Sequence, residues 1–202
     1  MRNILLLSLF LLVFNSHAQN SPKDWTVHNR EVTFSEEVIH LNAQENDGIL
    51  WLTTSDFQNG TIEIDIKGRD LLGQSFVGLA FHGQSNEQYD AVYFRPFNFQ
   101  SPERNSHSVQ YISMPGYDWA TLRESEPGKY ENTITPVVDP TSWFHVRLEI
   151  QYPKINAFIN GAKEASLSIE QISSRSSGQV GLWVGNGSEG WFKNIKLSES
   201  GD

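Results

Sequence analysis

From residue 38 to residue 197 apolar and polar side chains alternate with a period of two, in runs bounded by Gly, Asn, Asp and Pro. That is the period of a pleated strand with one face in a core, and no run carries an apolar stripe at helical spacing, so the chain is predicted to be all-β. Strands are expected at 38–42, 48–52, 60–67, 76–82, 89–95, 108–114, 144–151, 154–159, 164–169, 179–184 and 190–197. So many strands exceed what one open twisted sheet holds, and two packed sheets are expected. Asn160-Gly161 is a type I′ hairpin signal, Tyr152-Pro153 marks a second turn, and 173–177 fits either a turn or a single helical turn. There is no internal repeat and no linker, so residues 19–202 are expected to form one domain.

The N-terminus has a different character. Arg2 precedes an apolar run from Ile4 to Phe14, followed by Asn15-Ser16-His17-Ala18 with small residues at −3 and −1 of a cut after Ala18. This is the pattern of a secretory signal peptide over residues 1–18. An apolar helix that short, at about 1.5 Å per residue, spans only about half of a hydrocarbon core of about 30 Å, and no later stretch is long enough to cross one. An exported protein, bacterial periplasmic or secreted, is expected, with no membrane insertion. The chain has no Cys, which removes disulfides and thiol chemistry and leaves stability to the core. Lys and Arg number 15 against 24 Asp and Glu, a net charge of −9 that disfavours nucleic acid as a partner. The aromatic share of 12%, with six Trp, points to a β-rich core or a stacking surface.

Alternation also assigns strand faces. Ile62, Ile64 and Ile66 inward turn Glu63, Asp65 and Lys67 outward; Val77, Leu79 and Phe81 inward leave His82 outward; Val92 and Phe94 inward leave Tyr93 and Arg95 outward; Val180, Leu182 and Val184 inward leave Trp183 outward. If these strands share one sheet, its outer face carries Glu63, Asp65, His82, Tyr93, Arg95 and Trp183. Rings that stack on sugar faces beside forked polar groups that bond hydroxyls make that face a candidate carbohydrate groove, the alternative being an ordinary solvated face.

Residues 115–142 break the rhythm with four prolines and with Tyr117, Asp118, Trp119, Arg123, Glu126, Tyr130 and Glu131 interleaved. A loop this long is either functional or a packed cover over a sheet edge. As a wall of the groove it would supply Tyr117, Trp119 and Arg123. Arg95 lies just before Pro96, where its planar fork either grips vicinal hydroxyls or a carboxylate of a ligand, or forms a salt bridge with Asp65 or Asp90. Gln110 and His107 lie on the strand entering the loop, and His82 and His107 are open to a general-base or a scaffolding role. The histidines at 28, 40, 82, 107 and 145 are not paired at zinc-ligand spacing. No cofactor is expected; the turns Glu45-Asn46-Asp47-Gly48 and Asn186-Gly187-Ser188-Glu189 have the oxygens for a structural calcium but match no defined loop.

Gly48-Ile49-Leu50-Trp51, the runs 60–66, 76–81 and 89–95, and Ser177-Gly178-Gln179-Val180-Gly181-Leu182-Trp183-Val184 resemble, in that order, the concanavalin A-like lectin/glucanase superfamily. Within it the pattern is closest to laminin-G-like jelly rolls and the bacterial 3-keto-disaccharide hydrolase domain family, over residues 24–198. The resemblance implies an antiparallel two-sheet jelly-roll sandwich with a concave ligand face, holding carbohydrate, with hydrolase or lyase activity and a laminin-G-like adhesion role as alternatives. Laminarinase-type enzymes of the superfamily carry Glu-x-Asp-x-Glu on one strand, and retaining hydrolysis needs two carboxyl groups about 5–5.5 Å apart. Glu63 and Asp65 match the first two positions, but the third falls on Lys67 or Gly68. A replacement acid could come from the long loop, where Asp118, Glu124, Glu126 and Glu131 are available; Glu63, Asp65 and His107 are the catalytic candidates, the alternative for Glu63 and Asp65 being paired surface carboxylates with no chemistry.

Overall fold

A computed structural model describes residues 22–200. Its strands in chain order are β1 (Trp25–His28), β2 (Val32–Phe34), β3 (Ile39–Leu41), β4 (Gly48–Leu52), β5 (Gly60–Lys67), β6 (Val77–Ser85) and β7 (Gln88–Phe94). They continue with β8 (Val109–Met114), β9 (Glu131–Asn132), β10 (Phe144–Gln151), β11 (Lys154–Ile159), β12 (Leu167–Glu170), β13 (Gln179–Val184) and β14 (Gly190–Glu199). One sheet runs β1-β4-β13-β6-β7-β8-β9 and the other β12-β11-β10-β5-β14-β3-β2, each seven-stranded and antiparallel. This is the jelly-roll sandwich expected, and each expected strand is present in whole or part. The hairpin at Asn160-Gly161 takes positive φ at both residues, 49° and 71°, as a type I′ turn requires. The proposed signal peptide lies outside the described residues.

The two sheets differ in a way that locates function. In the second sheet β5 alternates strictly, with Ile62, Ile64 and Ile66 fully buried between the sheets and its other side chains half-buried on the outer face. That is a sheet with one wet face. In the first sheet all of β4, β6 through Gly83, and β7 after Gln88 are buried on both faces. Leu50, Leu79, Val92 and Leu182 enter the common core, while Ile49, Trp51, Tyr89, Tyr93, Ile112 and Trp183 form a second apolar cluster on the opposite face. Something covers the first sheet from outside, and that covering makes the groove.

The cover includes the segment expected as an irregular loop. Residues 115–142 hold a helix, α1 (Trp119–Ser125), and β9. Asp118 caps α1 by accepting from the Thr121 amide at 2.8 Å. The helix was not visible as a stripe because seven residues bury one apolar side chain, Leu122. Residues 173–177 are irregular, with a bend at Ser173 and no helical turn. His82 is also not outward: a β-bulge between Phe81 and Ser85, with His82 at φ 48°, breaks the alternation. Its ring is fully buried against Phe57 and Phe81, with Nε2 2.8 Å from the Gln58 carbonyl.

Candidate functional site

The floor of the groove follows from one register. Trp183 on β13 pairs with Gly78 on β6, and Gly78 pairs with Tyr93 on β7. Because Gly78 has no side chain, the flanking rings close over it to 4.9 Å between centroids. A Cβ there would stand 2.3 Å from the Val92 carbonyl oxygen and 2.5 Å from Tyr93 Cα, both backbone. Hydrogen bonds fix the rings from beneath. Trp183 Nε1 donates to Tyr89 Oη at 3.2 Å, and Tyr89 donates to Asp47 Oδ2 at 3.3 Å. Arg95 Nη2 donates to Tyr93 Oη at 2.6 Å, Tyr93 to Gln110 Oε1 at 3.1 Å, and Gln110 Nε2 to the Trp119 carbonyl at 3.4 Å.

Above this floor lie three connected hollows. The central one, about 250 Å³, is bounded by Tyr93, Trp183, Phe76, Trp119, Asp47 and Asn186. A second, about 410 Å³, shares Phe76, Trp119 and Asn186 with it and adds Arg95, Arg104, His107 and Arg123. A third, about 700 Å³, shares Asp47, Met114 and Asn186 and adds His28, Asn86 and Glu87. Trp119, 49% exposed, stands between the first two. Its ring is flanked by guanidinium groups, Arg123 Cζ at 5.1 Å and Arg95 Cζ at 5.8 Å.

Both guanidinium groups turn toward one carboxylate. Glu131 on β9, only 4% exposed at its side chain, accepts from Arg123 Nε at 3.0 Å and Nη2 at 2.6 Å. His107 Nδ1 lies 2.8 Å and Arg95 Nη1 3.7 Å from its Oε2. Burial pushes the Glu131 carboxyl up, but the Arg123 bonds and then His107 outweigh it, so Glu131 titrates below the ordinary glutamate range. Asp47 goes the other way, raised by burial against the opposing pull of Tyr89 and Arg30. Burial likewise raises the Tyr93 phenol.

Of the sequence-predicted residues, Tyr93, Trp119 and Trp183 meet in the central hollow, and Arg95, Arg123 and His107 in the neighbouring one. Gln110 spends both ends of its amide inside the protein and positions α1. Tyr117, 45% exposed, borders none of the three hollows; its backbone bridges to Ser113. Arg95 pairs with neither Asp65 nor Asp90. Asp65 belongs to the other sheet, and Asp90 is held by Arg175, so Arg95 lies toward Glu131 instead.

Glu63 and Asp65 are the main correction. The condition that they share a sheet with Tyr93 and Trp183 fails, because β5 lies at the centre of the second sheet. There Glu63 is registered between Arg147 and Lys196, and Asp65 between His145 and Lys193. Asp65 lies 2.8 Å from His145 Nδ1 and accepts from Asn194 Nδ2 at 2.7 Å. These are cross-strand charge pairs on a wet face. The acids of the 115–142 segment cover the first sheet, so none stands opposite Glu63.

Asp47, Asn186 and Arg104 were missed as groove residues, since long-range pairing brings the first two there and a fold of loop backbone the third. The two turns considered for calcium do meet, with the Asn46 amide donating to Asn186 Oδ1 at 2.7 Å. The cation between them is Arg30, whose Nη2 donates to the carbonyls of Asn46 at 2.7 Å and Gly185 at 3.0 Å. Among the described residues no group of three or more His, Cys, Asp or Glu is placed to hold a metal. With the Arg30 guanidinium already donating to these carbonyls, the residues at the two turns do not fit a calcium ion. No helix among the described residues is long and apolar enough to cross a membrane.

The fold is shared with several sugar-binding proteins. The carbohydrate-binding module CBM66 from Bacillus subtilis superposes with a TM-score of 0.63 at 17% identity, over 88% of this chain and 96% of that one. The lumenal domain of VIP36, solved with Ca²⁺ and Man3GlcNAc, gives 0.61 at 13% identity, over 94% and 90%. The carbohydrate recognition domain of Emp46p, in a metal-free form, gives 0.59 at 15% identity, over 95% of each chain. No curated protein matches the chain. By sequence the match is to a domain family, over residues 12–198, and the chain belongs to the 3-keto-alpha-glucoside-1,2-lyase-like domain family.

Proposed function

We propose that this protein binds carbohydrate in the groove over the first sheet, as an exported, bacterial periplasmic or secreted protein. The observation that carries the reading is the central hollow, where Trp119, 49% exposed, presents aromatic surface beside Asp47 and Asn186 over a floor closed by the buried Trp183 and Tyr93 rings. Aromatic faces take the C–H faces of a sugar, and convergent polar groups take its hydroxyls. Membership of a family described by a keto-glucoside lyase and a fold shared with a carbohydrate-binding module support the same ligand class. The apolar run before Ala18 supports export.

The test is a glycan array followed by titration of each hit into wild type and Trp119→Ala. Ring stacking contributes about 0.5–1.5 kcal/mol, so the variant is expected to bind about three- to tenfold more weakly. Because Trp119 is half exposed, its unfolding temperature is expected to stay close to wild type. A variant that loses stability while keeping its affinity would make α1 a cover only.

Asp47 favours a second reading, action on a keto-sugar. Its carboxyl borders the central hollow, is raised by burial and is bonded to Tyr89, which suits a base nearer to neutral pH than a free carboxylate. Elimination across carbons 1 and 2 of a 3-keto-glucoside needs such a base for the proton beside the ketone. Release of the aglycone by wild type and not by Asp47→Asn supports that reading, and no release by wild type removes it.

A further inference from the structure

The groove is electrically uneven along its length. The hollow beyond Trp119 is bounded by Arg95, Arg104, Arg123 and His107 and by no carboxylate, in a chain whose net charge is −9. The opposite end carries Asp47 and Glu87. Glu131, beneath the arginine end, accounts for Arg123 and part of Arg95, but not for Arg104. Arg104 is exposed, the Glu103 carboxylate acts on it only through space, and among the described residues only the Nε of its side chain is hydrogen-bonded, to Asn98 Oδ1 at 3.2 Å. Its Nη donors therefore remain for a ligand.

A neutral ring laid over this hollow takes a guanidinium out of water and offers it only hydroxyl acceptors, which leave its charge uncompensated. An oxyanion on that ring reverses the sign, because charge-assisted bonds from a planar fork are among the strongest a protein makes. Trp119 borders both hollows, so a sugar ring stacked on it can direct such a group toward Arg104. The acidic opposite end repels the same group, so the ligand is held in one direction.

We propose that the arginine end of the groove is a subsite for an oxyanion carried on a sugar, a uronate carboxylate or a sulfate ester, and that the ligand is an acidic oligosaccharide. The proposal rests on the carbohydrate reading and goes beyond it. It is tested on an array carrying each glycan in acidic and neutral form, uronates against their methyl esters and sulfated glycans against desulfated ones. Sodium acetate and sodium sulfate serve as free-anion controls.

Acidic members are expected to bind at least about tenfold more tightly than their neutral partners at low salt, with the preference shrinking as salt rises. Which of the two acidic sets is preferred distinguishes carboxylate from sulfate. Arg104→Ala is expected to bring each pair to near-equal affinity by weakening the acidic member. Equal binding of acidic and neutral forms by wild type overturns the anionic subsite and leaves the carbohydrate reading standing. A preference that survives Arg104→Ala overturns its placement, and free anions that bind as tightly as acidic glycans overturn the sugar-borne assignment. An array with no hit of either kind overturns both readings.

Discussion

Glu131→Gln removes the one carboxylate under two guanidinium groups and a histidine. Breaking a fully buried ion pair by taking one partner costs about 3–5 kcal/mol. Here the Arg123 and His107 side chains are each 35% exposed, so water recovers part of that loss, whereas Arg95, at 6%, stays largely dry. A loss of about 2 kcal/mol results, which for a domain of this size lowers the unfolding temperature by about 4–8 °C. The pH dependence follows from the lowered folded-state pKa of Glu131. Its contribution is complete above the unfolded glutamate value of about 4.3 and is lost as pH falls through the folded value. Thermal unfolding of wild type and Glu131→Gln, monitored by near-ultraviolet circular dichroism from pH 7 to pH 3, should show a wide gap at pH 7 that closes with acid. A gap under about 1 °C at pH 7, or one that stays constant down to pH 3, would refute the reasoning.

Leu122→Ala should destabilise by about 2–5 kcal/mol, read in urea unfolding, because Leu122 is the apolar anchor of α1 in the common core. Glu63→Gln should leave glycan affinity unchanged in titration calorimetry, since its strand lies in the other sheet; a loss above about tenfold would contradict that placement. Arg95→Lys should cost about 1–3 kcal/mol of stability, because a lysine cannot reproduce the bonds to Tyr93 Oη and the His107 carbonyl together; unchanged thermal unfolding would return Arg95 to a purely ligand-facing role.

The strands were legible because each carries its own periodicity, and so were most faces. Ile62, Ile64 and Ile66 point inward whatever lies beside them. Which sheet a strand joins is a matter of pairing, and alternation carries no pairing information, so β5 and β7 could be read as neighbours when they lie in different sheets. His82 was misplaced for a local reason, since a bulge shifts the phase from that residue on. The helix α1 left one usable mark, Asp118 three residues before the Thr121 amide it caps. Within the site, the rings were legible from composition and face. Asp47, Asn186 and Arg104 were not, because each acquires its role from a segment distant in sequence or from a fold of loop backbone.

Gly78 touches no part of the open groove, yet it decides how deep that groove is. A Cβ at this position would stand 2.3 Å from the Val92 carbonyl oxygen and 2.5 Å from Tyr93 Cα, so β7 beneath the rings would have to shift. Ligand preference in proteins built this way is then governed from below, by a residue that a scan of contacting side chains would pass over. A single substitution there would reshape the floor by displacing β7, without changing any side chain that lines the hollows.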